Sequence, residues 1–174
     1  MTGQSEAPTE QRLRRIEDHL DIYQIISAFG AAADSTTLEI MYQLWDESCE
    51  LVIGAPVAEP PTASASVLHG VNAGHQGLHN VMTGEYHKAL VAHGSAHINS
   101  LPHIEIEGDR AVATTYQTLF LFKDPQFALE RLTAARWEFR RTHEGWRIAR
   151  RTTELLDGGN QKATELLAKV MDVR

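Results

Sequence analysis

The chain has 174 residues, of which 43% are hydrophobic, and a formal net charge of -7. This length fits one domain with a core large enough to enclose a small-molecule cavity. The acidic balance excludes nucleic acid as an expected partner, because neutralising phosphates takes clustered lysine and arginine side chains. The sequence has neither a signal-peptide core nor a run of about 20 apolar residues, which predicts a soluble, cytoplasmic protein that makes no membrane contact.

Helical patterns occupy the first quarter of the chain. Residues 1–8 are small and polar and are predicted to form a disordered tail, after which Thr9 is suited to cap a helix. Apolar residues then recur at steps of three or four as far as about residue 33. This spacing predicts one long amphipathic helix with a single apolar stripe, formed by Leu13, Ile16, Leu20, Tyr23, Ile26 and Ala33. Asp34-Ser35-Thr36 ends that helix and can cap a short second one.

Strand patterns dominate the rest of the domain. A first strand is predicted at 49–53, a brief second one at 67–69, and a weak, glycine-containing helix at 71–84. Tight turns at 107–109 and 143–145 separate the strand patterns that include 111–122, 132–142 and 146–156, and antiparallel pairing as a meander is the expected arrangement. The predicted domain therefore covers residues 9–158, and a C-terminal helix lies within 159–174.

This order of elements predicts an α+β fold. Helices followed by a run of antiparallel strands pack against one face of the sheet. A sheet that curves around the long first helix encloses a dead-end apolar cavity. The single cysteine, Cys49, has no obvious activating neighbour, which favours a buried structural thiol over a nucleophile. No GxSxG, P-loop or Rossmann fingerprint occurs, and this disfavours serine hydrolases and nucleotide-binding enzymes.

An ordered set of short motifs resembles a known family. A first helix ends in Ala-Ala-Asp-Ser at 32–35, Ala-His-Ile-Asn follows at 96–99, and Ile-Glu-Ile-Glu-Gly-Asp-Arg-Ala begins at 104. Trp-Glu-Phe-Arg-Arg at 137–141 and Gly-Trp-Arg-Ile at 145–148 complete the set. Over residues 12–156 the chain resembles the SnoaL-like branch of the nuclear-transport-factor-2-like superfamily, which includes scytalone dehydratase and ketosteroid isomerase.

The resemblance carries expectations about fold and chemistry. It implies a cone-shaped α+β barrel in which helices pack against a strongly curved, mainly antiparallel sheet around an apolar pocket. It also implies a homodimer or homotrimer and chemistry that needs neither metal nor organic cofactor. Dehydratase and dehydrochlorinase members use an Asp-His dyad, and the matching positions in this sequence are Asp34 and His97.

Proton-transfer chemistry supports this pair. A neutral imidazole can remove a proton near neutral pH, and a buried carboxylate fixes its tautomer and stabilises the imidazolium that forms. Asp34 would orient the imidazole ring, and His97 would abstract the proton. The alternatives are a helix-capping role for Asp34 and a hydrogen-bonded core histidine at 97.

The chain also departs from the relatives it resembles. Some of these relatives have a tyrosine just before the aspartate, and others have a tyrosine or lysine five positions before it; these positions are Ala33 and Phe29 here. A second pocket histidine is replaced by the apolar run 119–122. Tyr116 or Tyr42 could supply the missing electrophile. Together with aromatic residues that could line the cavity, the predicted substrate-binding set is Phe29, Tyr42, Trp45, Tyr116, Phe120 and Trp137.

Two clusters permit other interpretations. Seven of the nine histidines lie between residues 69 and 103, and His75 with His79, or His93 with His97, could share a face, although no spacing identifies a third metal ligand. We expect most of these histidines to lie at the surface or rim and no metal to be bound. Arginines cluster at 140–151. A solvated or subunit-interface face, paired with Glu138, Glu144 and Glu154, is favoured there over contact with an anionic substrate.

The leading functional hypothesis is a cofactor-independent lyase or isomerase acting on a small hydrophobic or polycyclic substrate, with elimination or double-bond migration after proton abstraction. One alternative is a non-catalytic small-molecule-binding or assembly domain of the same fold. The others are an epoxide-hydrolase or cyclase type, which would need several polar groups around one water, and a metal-dependent enzyme.

Overall fold

The computed structural model describes residues 6–54 and 70–169, without the side chains of residues 6 and 7. Five helices are found in these ranges: α1 Glu6–Asp34, α2 Leu38–Leu44, α3 Gly74–Thr83, α4 Glu85–Ala92 and α5 Gln161–Ala168. Seven strands accompany them: β1 Trp45–Ile53, β2 Gly70–Ala73, β3 Ser95–Asn99, β4 His103–Glu107, β5 Arg110–Lys123, β6 Gln126–Thr142 and β7 Gly145–Leu155.

The strands form one curved, unclosed sheet in the order β2-β1-β7-β6-β5-β3, and β4 also pairs with β5. Strands β5, β6 and β7 pair antiparallel in sequence order, which confirms the predicted meander. Only the β1–β7 pair among the described strands is parallel. The predicted class, a cone-shaped α+β fold, is therefore the observed one.

The main core lies between the concave face of this sheet and helices α1 to α3. Its largest members are fully buried aromatic rings, Trp45, Trp137 and Trp146, which pack with Ile22 and Met41. On the opposite face, α5 covers Ala134 of β6 through Ala163 and Leu166. Because neighbouring residues of a strand point to opposite faces, Ala134 packs under α5 while the next residue, Ala135, belongs to the main core.

Helix α1 differs from its prediction in two respects. It begins at Glu6, so Thr9 lies inside the helix instead of capping it. The predicted single stripe is also divided between two environments. Ile26 and Ala33 are buried, whereas Leu13, Ile16, Leu20 and Tyr23 are exposed. The core face of the helix is formed instead by Asp18, Ile22, Ile26 and Phe29.

Smaller differences concern the boundaries of elements. The N-cap of α2 is Thr37, whose side chain makes no capping hydrogen bond, and β1 begins at Trp45, directly after α2. The predicted helix at 71–84 is divided between β2 and α3. The predicted strand at 67–69 lies outside the described residues.

Cys49 is fully buried, and burial raises the pKa of its thiol to about 11, as expected of a structural cysteine. In the described ranges, no helix has the length and apolar character needed to cross a membrane.

Candidate active site

The last residue of α1 meets β3 in a dense set of hydrogen bonds. Asp34 Oδ1 lies 2.6 Å from His97 Nδ1, and Asp34 Oδ2 accepts the backbone N–H of His97 at 2.7 Å. The hydroxyl of Ser95 donates to Asp34 Oδ1 at 2.8 Å. All three donors belong to β3, so the carboxylate joins α1 to β3 and does not cap α2.

Gly30 permits this close approach of α1 to β3. A Cβ atom on Gly30 would overlap the carbonyl oxygen of His97. A larger residue would therefore push the helix away from the strand, one turn before Asp34. The absence of a side chain at Gly30 and the carboxylate of Asp34 act together, since the first allows the close approach over which the second can bond.

The electrostatics of the pair define one tautomer. Burial alone would raise the pKa of Asp34, but the hydrogen bonds from His97 and Ser95 outweigh it and lower that pKa below its ordinary value. An ionised carboxylate only accepts hydrogen bonds, so His97 Nδ1 carries the proton. Nε2 of the neutral ring then has a free lone pair and is the atom that can act as a base.

A second histidine lies beside the first. His87, on α4, is buried, and its ring stacks against that of His97 with a centroid separation of 6.3 Å. His87 Nε2 is 2.9 Å from the carbonyl oxygen of Ala33, and since a carbonyl can only accept, Nε2 carries the proton. Burial lowers the pKa of His87 and keeps its ring neutral near pH 7.

His97 and His87 line a cavity of about 70 Å³ between the concave face of the sheet and helices α1, α3 and α4. Its lining is mixed, whereas the sequence predicts an apolar pocket. The apolar members are Phe29, Ala33, Leu51, Ile53, Val81, Met82 and Leu90. The polar members are Tyr86, His87, His97, Gln117, Arg131, Thr133, Arg151 and Thr153.

Arg151 is the most unusual residue of this lining. It is buried, donates to Gln117 Oε1, and places its guanidinium 4.6 Å from the ring centre of Phe29 and 4.7 Å from that of Trp137. Its Nε and the Nε2 of Gln117 have no hydrogen-bond partner among the described residues. Burial, with the nearby charge of Arg131, lowers the pKa of Arg151 to about 9, so it remains charged at pH 7. The site therefore holds a cation without a carboxylate partner in the described structure.

The predicted substrate-binding residues lie in several places. Phe29 lines the cavity, and Trp137 packs behind it with its ring 5.2 Å from that of Phe29. Tyr116 is half-exposed and lies on the opposite face from Gln117, because the two are neighbours on one strand. Tyr42 and Trp45 border a separate surface cleft, where the hydroxyl of Tyr42 is 2.8 Å from His79 Nδ1. Phe120 is half-buried outside the cavity lining.

The histidines and arginines that cluster in the sequence lie apart from one another in the fold. His75 stacks on Tyr42, and His93 Nδ1 lies 2.7 Å from Ala89 O at the end of α4. His69 lies outside the described residues, and the described ones include no group of three or more side chains placed to hold a metal ion. Of the arginines, Arg147 pairs with Glu144, as predicted, but Arg141 pairs with Asp18 and Asp109 and Arg150 with Glu50. Glu138 and Glu154 form none of these pairs.

Sequence reasoning missed three of the polar lining residues that face the dyad. Arg151 was grouped with exposed arginines, although its alternation with Arg150 along a strand was the available signal that one of the two points inward. His87 lies on a helix that was not predicted. Gln117 could be placed on the concave face only through its pairing with Thr133, which is set by the register of β5 on β6.

The comparisons with known proteins agree with this architecture. Residues 14–152 match the family model of the SnoaL-like domain, and the chain belongs to this family. No curated protein matches the chain.

Solved structures extend the agreement. A nuclear-transport-factor-2-like protein with a cystatin-like fold from Novosphingobium aromaticivorans is 32% identical, with a TM-score of 0.79, over 96% of this chain and 98% of its own. A proposed aromatic ring hydroxylase from the same organism is 22% identical, with a TM-score of 0.59, over 81% of this chain and 90% of its own. A proposed dehydratase from Streptomyces avermitilis is 17% identical, with a TM-score of 0.57, over 80% of this chain and 97% of its own. These last two support the fold alone.

Proposed function

We propose that the protein is a cofactor-independent lyase or isomerase in which His97 removes a proton from carbon. The observation that carries the proposal is the 2.6 Å contact between Asp34 and His97 Nδ1, which leaves Nε2 free to act as a base beside the cavity. The family includes lyases and isomerases, which is consistent with this chemistry.

The reaction begins when His97 Nε2 takes a proton from a carbon next to a carbonyl, or from a carbon next to the one that carries a leaving group. The electron pair of the broken C–H bond forms a carbon–carbon double bond, and negative charge develops on the carbonyl oxygen or on the departing group. Asp34 stabilises the imidazolium, and Arg151 stabilises the developing anion, because a preorganised cation is most effective in a site of low dielectric. The proton on His97 then returns to another carbon or leaves with the departing group.

Cavity size and polarity narrow the expected substrate. The cavity of about 70 Å³ is smaller than the roughly 150 Å³ cavity that encloses benzene, so a polycyclic ligand would fit only if the lining opened. The eight polar lining residues favour a substrate that carries oxygen. We therefore propose a small enolisable ketone, or a β-hydroxy or β-halo compound, as the substrate class.

The test is carbon–hydrogen exchange in D₂O, followed by proton NMR with a panel of small cyclic and acyclic ketones. This assay detects proton abstraction even when no elimination follows. The wild type should exchange the α-protons of at least one ketone, and His97→Gln should reduce the rate by roughly 10²- to 10⁴-fold, the usual contribution of a general base.

The matched control is His93→Gln, which makes the same substitution on a histidine that is exposed and outside the cavity lining. It should leave the exchange rate unchanged. Equal exchange rates in wild type and His97→Gln would contradict a base role. Tight binding of a ketone without exchange would favour the non-catalytic binding domain.

Epoxide opening by an activated water is a second candidate. It is favoured by the cluster of His97, Gln117, Thr133 and Arg151 around a small cavity, since several polar groups can hold one water. In that case His97 Nε2 would take a proton from a water whose oxygen attacks an epoxide carbon. The ring C–O bond at that carbon breaks, and the alkoxide that forms takes the proton back from the His97 imidazolium, which gives a diol. Formation of a diol containing ¹⁸O from labelled water, without α-proton exchange of ketones, would identify this activity.

A further inference from the structure

The first part of α1 extends beyond the domain. Every residue from Pro8 to Glu17 is exposed, and Asp18 is the first buried residue of the helix. A helical segment of this length is marginally stable in water by itself, because its nucleation cost is not recovered by packing. This segment nevertheless carries large apolar side chains.

Those side chains form one continuous stripe. Leu13, Ile16 and Leu20 are each more than half exposed, and Tyr23 is 37% exposed. Their spacing of three, four and three residues is that of the a and d positions of a coiled coil. At about 100° per residue the stripe lies well away from the face that carries Asp18 and Ile22. A cleft lined by both apolar and polar residues leads from Tyr23 to Leu101, which is 85% exposed.

We propose that this stripe, defined by Leu13, Ile16, Leu20 and Tyr23, binds the same stripe of a second copy of the chain, with the two helices parallel. The charges beside the stripe favour this partner. Arg12 and His19 follow one flank, and Glu17 and Gln24 follow the other. In a parallel pair the g flank of one helix meets the e flank of its partner, so Arg12 of each chain faces Glu17 of the other. An antiparallel pair would place flanks of like charge together.

The small size of the stripe indicates how strongly the two copies associate. It covers only about one and a half heptads, and the cleft leading to Leu101 adds a limited apolar area beside it. An interface at the small end of the range for specific contacts forms reversibly. The dimer should therefore dissociate on dilution.

The first experiment is sedimentation velocity over a range of concentrations. Wild-type chain should sediment as a monomer–dimer equilibrium, and Leu20→Glu should raise the dissociation constant at least ~10-fold, because it places two unpaired carboxylates in the seam. Val71→Glu is the matched control, since Val71 is equally exposed but lies on β2, and it should leave the equilibrium unchanged. Thermal unfolding should show that both variants are folded, because both positions face solvent.

The second experiment tests the direction of pairing. Arg12→Glu and Glu17→Arg should each weaken self-association, whereas an equimolar mixture of the two variants should form a heterodimer, since every facing pair is then of opposite sign. A wild-type chain that stays monomeric, or a dimer insensitive to Leu20→Glu, would overturn the proposal. So would an unchanged monomer whose only Leu20-dependent property is sedimentation with phosphatidylcholine vesicles, which would identify a lipid surface as the occupant.

Discussion

Arg151 brings a positive charge into the interior, where the described residues offer it two aromatic rings and an amide oxygen but no carboxylate. Burying a charge without an ion partner costs free energy, and cation–π contacts recover only part of it. We propose that this cost is offset by the contact of Arg151 with a bound ligand. Its neighbour Arg150, by contrast, pairs with Glu50 at 2.6 Å at the surface. Two adjacent arginines thus have different roles because a strand turns them to opposite faces.

This difference predicts that removing the charge of Arg151 lowers activity without lowering stability. Arg151→Met keeps a long side chain against Phe29 and Trp137 but removes the buried charge, while Gln117 loses a hydrogen-bond partner. We expect the free energy of unfolding, measured by urea denaturation, to be unchanged or raised by up to about 2 kcal/mol, because replacing a buried charge by an apolar group is often neutral or stabilising. The rate of α-proton exchange should fall at least ~10-fold.

Arg150→Met is the control for that prediction, since it removes a charge from the same strand at a surface site. It should change both quantities little, because exposed ion pairs contribute little to stability. A large loss of stability in Arg151→Met, with exchange unchanged, would assign Arg151 a purely structural role.

At the scale of elements, the site depends on how closely α1 approaches β3. Gly30 faces the backbone of His97, and Asp34 bonds both the backbone and the ring of the same residue. The contact is rigid on both sides, because a helix backbone and a strand backbone meet with no flexible side chain between them. A displacement of a few tenths of an ångström in α1 is therefore passed directly to the carboxylate.

Gly30→Ala tests this dependence. The added methyl group would displace α1 from β3, at a cost of roughly 1–3 kcal/mol in the free energy of unfolding. The exchange rate should fall by up to ~10²-fold, because a misplaced carboxylate no longer orients the base. Ser27→Ala, at an exposed position of the same helix, should preserve both. Full activity in Gly30→Ala would contradict the proposed role of this close approach.

For the whole molecule, several titrating groups act together on acid stability. Hydrogen bonds and nearby cations lower the pKa values of Asp18 and Asp46, and hydrogen bonds overcome the effect of burial on Asp34. Burial lowers the pKa of His87. In each case the unfolded chain binds protons at a higher pH than the folded chain does, so stability is lost as the pH falls.

We therefore expect acid unfolding in two stages. Stability should begin to fall below about pH 6.5, where His87 of the unfolded chain takes up a proton, and fall further below about pH 4, where the three carboxylates do so. Urea denaturation between pH 3 and 8 measures both stages. His87→Gln should flatten the first stage and leave the second. A first stage of equal depth in this variant would show that groups other than His87 dominate the loss.

The fold was predictable from the sequence because its periodicities were local. The meander of β5, β6 and β7 followed from strand patterns separated by tight turns, and the ordered motifs indicated the family. They also indicated Asp34 and His97, which do lie within hydrogen-bond distance, although their catalytic role stays a prediction.

What could not be predicted depends on contacts distant in sequence. The helical period of Leu13, Ile16 and Leu20 indicates an apolar stripe but not what covers it. The inward direction of Arg151 and Gln117 depends on strand register across the curved sheet. The position of His87 depends on α4, which follows a glycine-containing segment that favours no single structure.

Helix α1 is supported by polar or close backbone contacts at two places along its length. One support is Asp18, held by two 2.7 Å hydrogen bonds from Arg141 and one from Trp146, and the other is the contact of Gly30 and Asp34 with β3. The supports are 12 residues apart, or about 18 Å, and the segment before Asp18 is an overhang. Between Asp18 and Gly30 the helix also packs in the core through Ile22, Ile26 and Phe29, so we expect a disturbance before Asp18 to have little effect on Asp34. We therefore expect a substitution before Asp18, at Leu13 or Ile16, to change self-association without changing the rate of α-proton exchange.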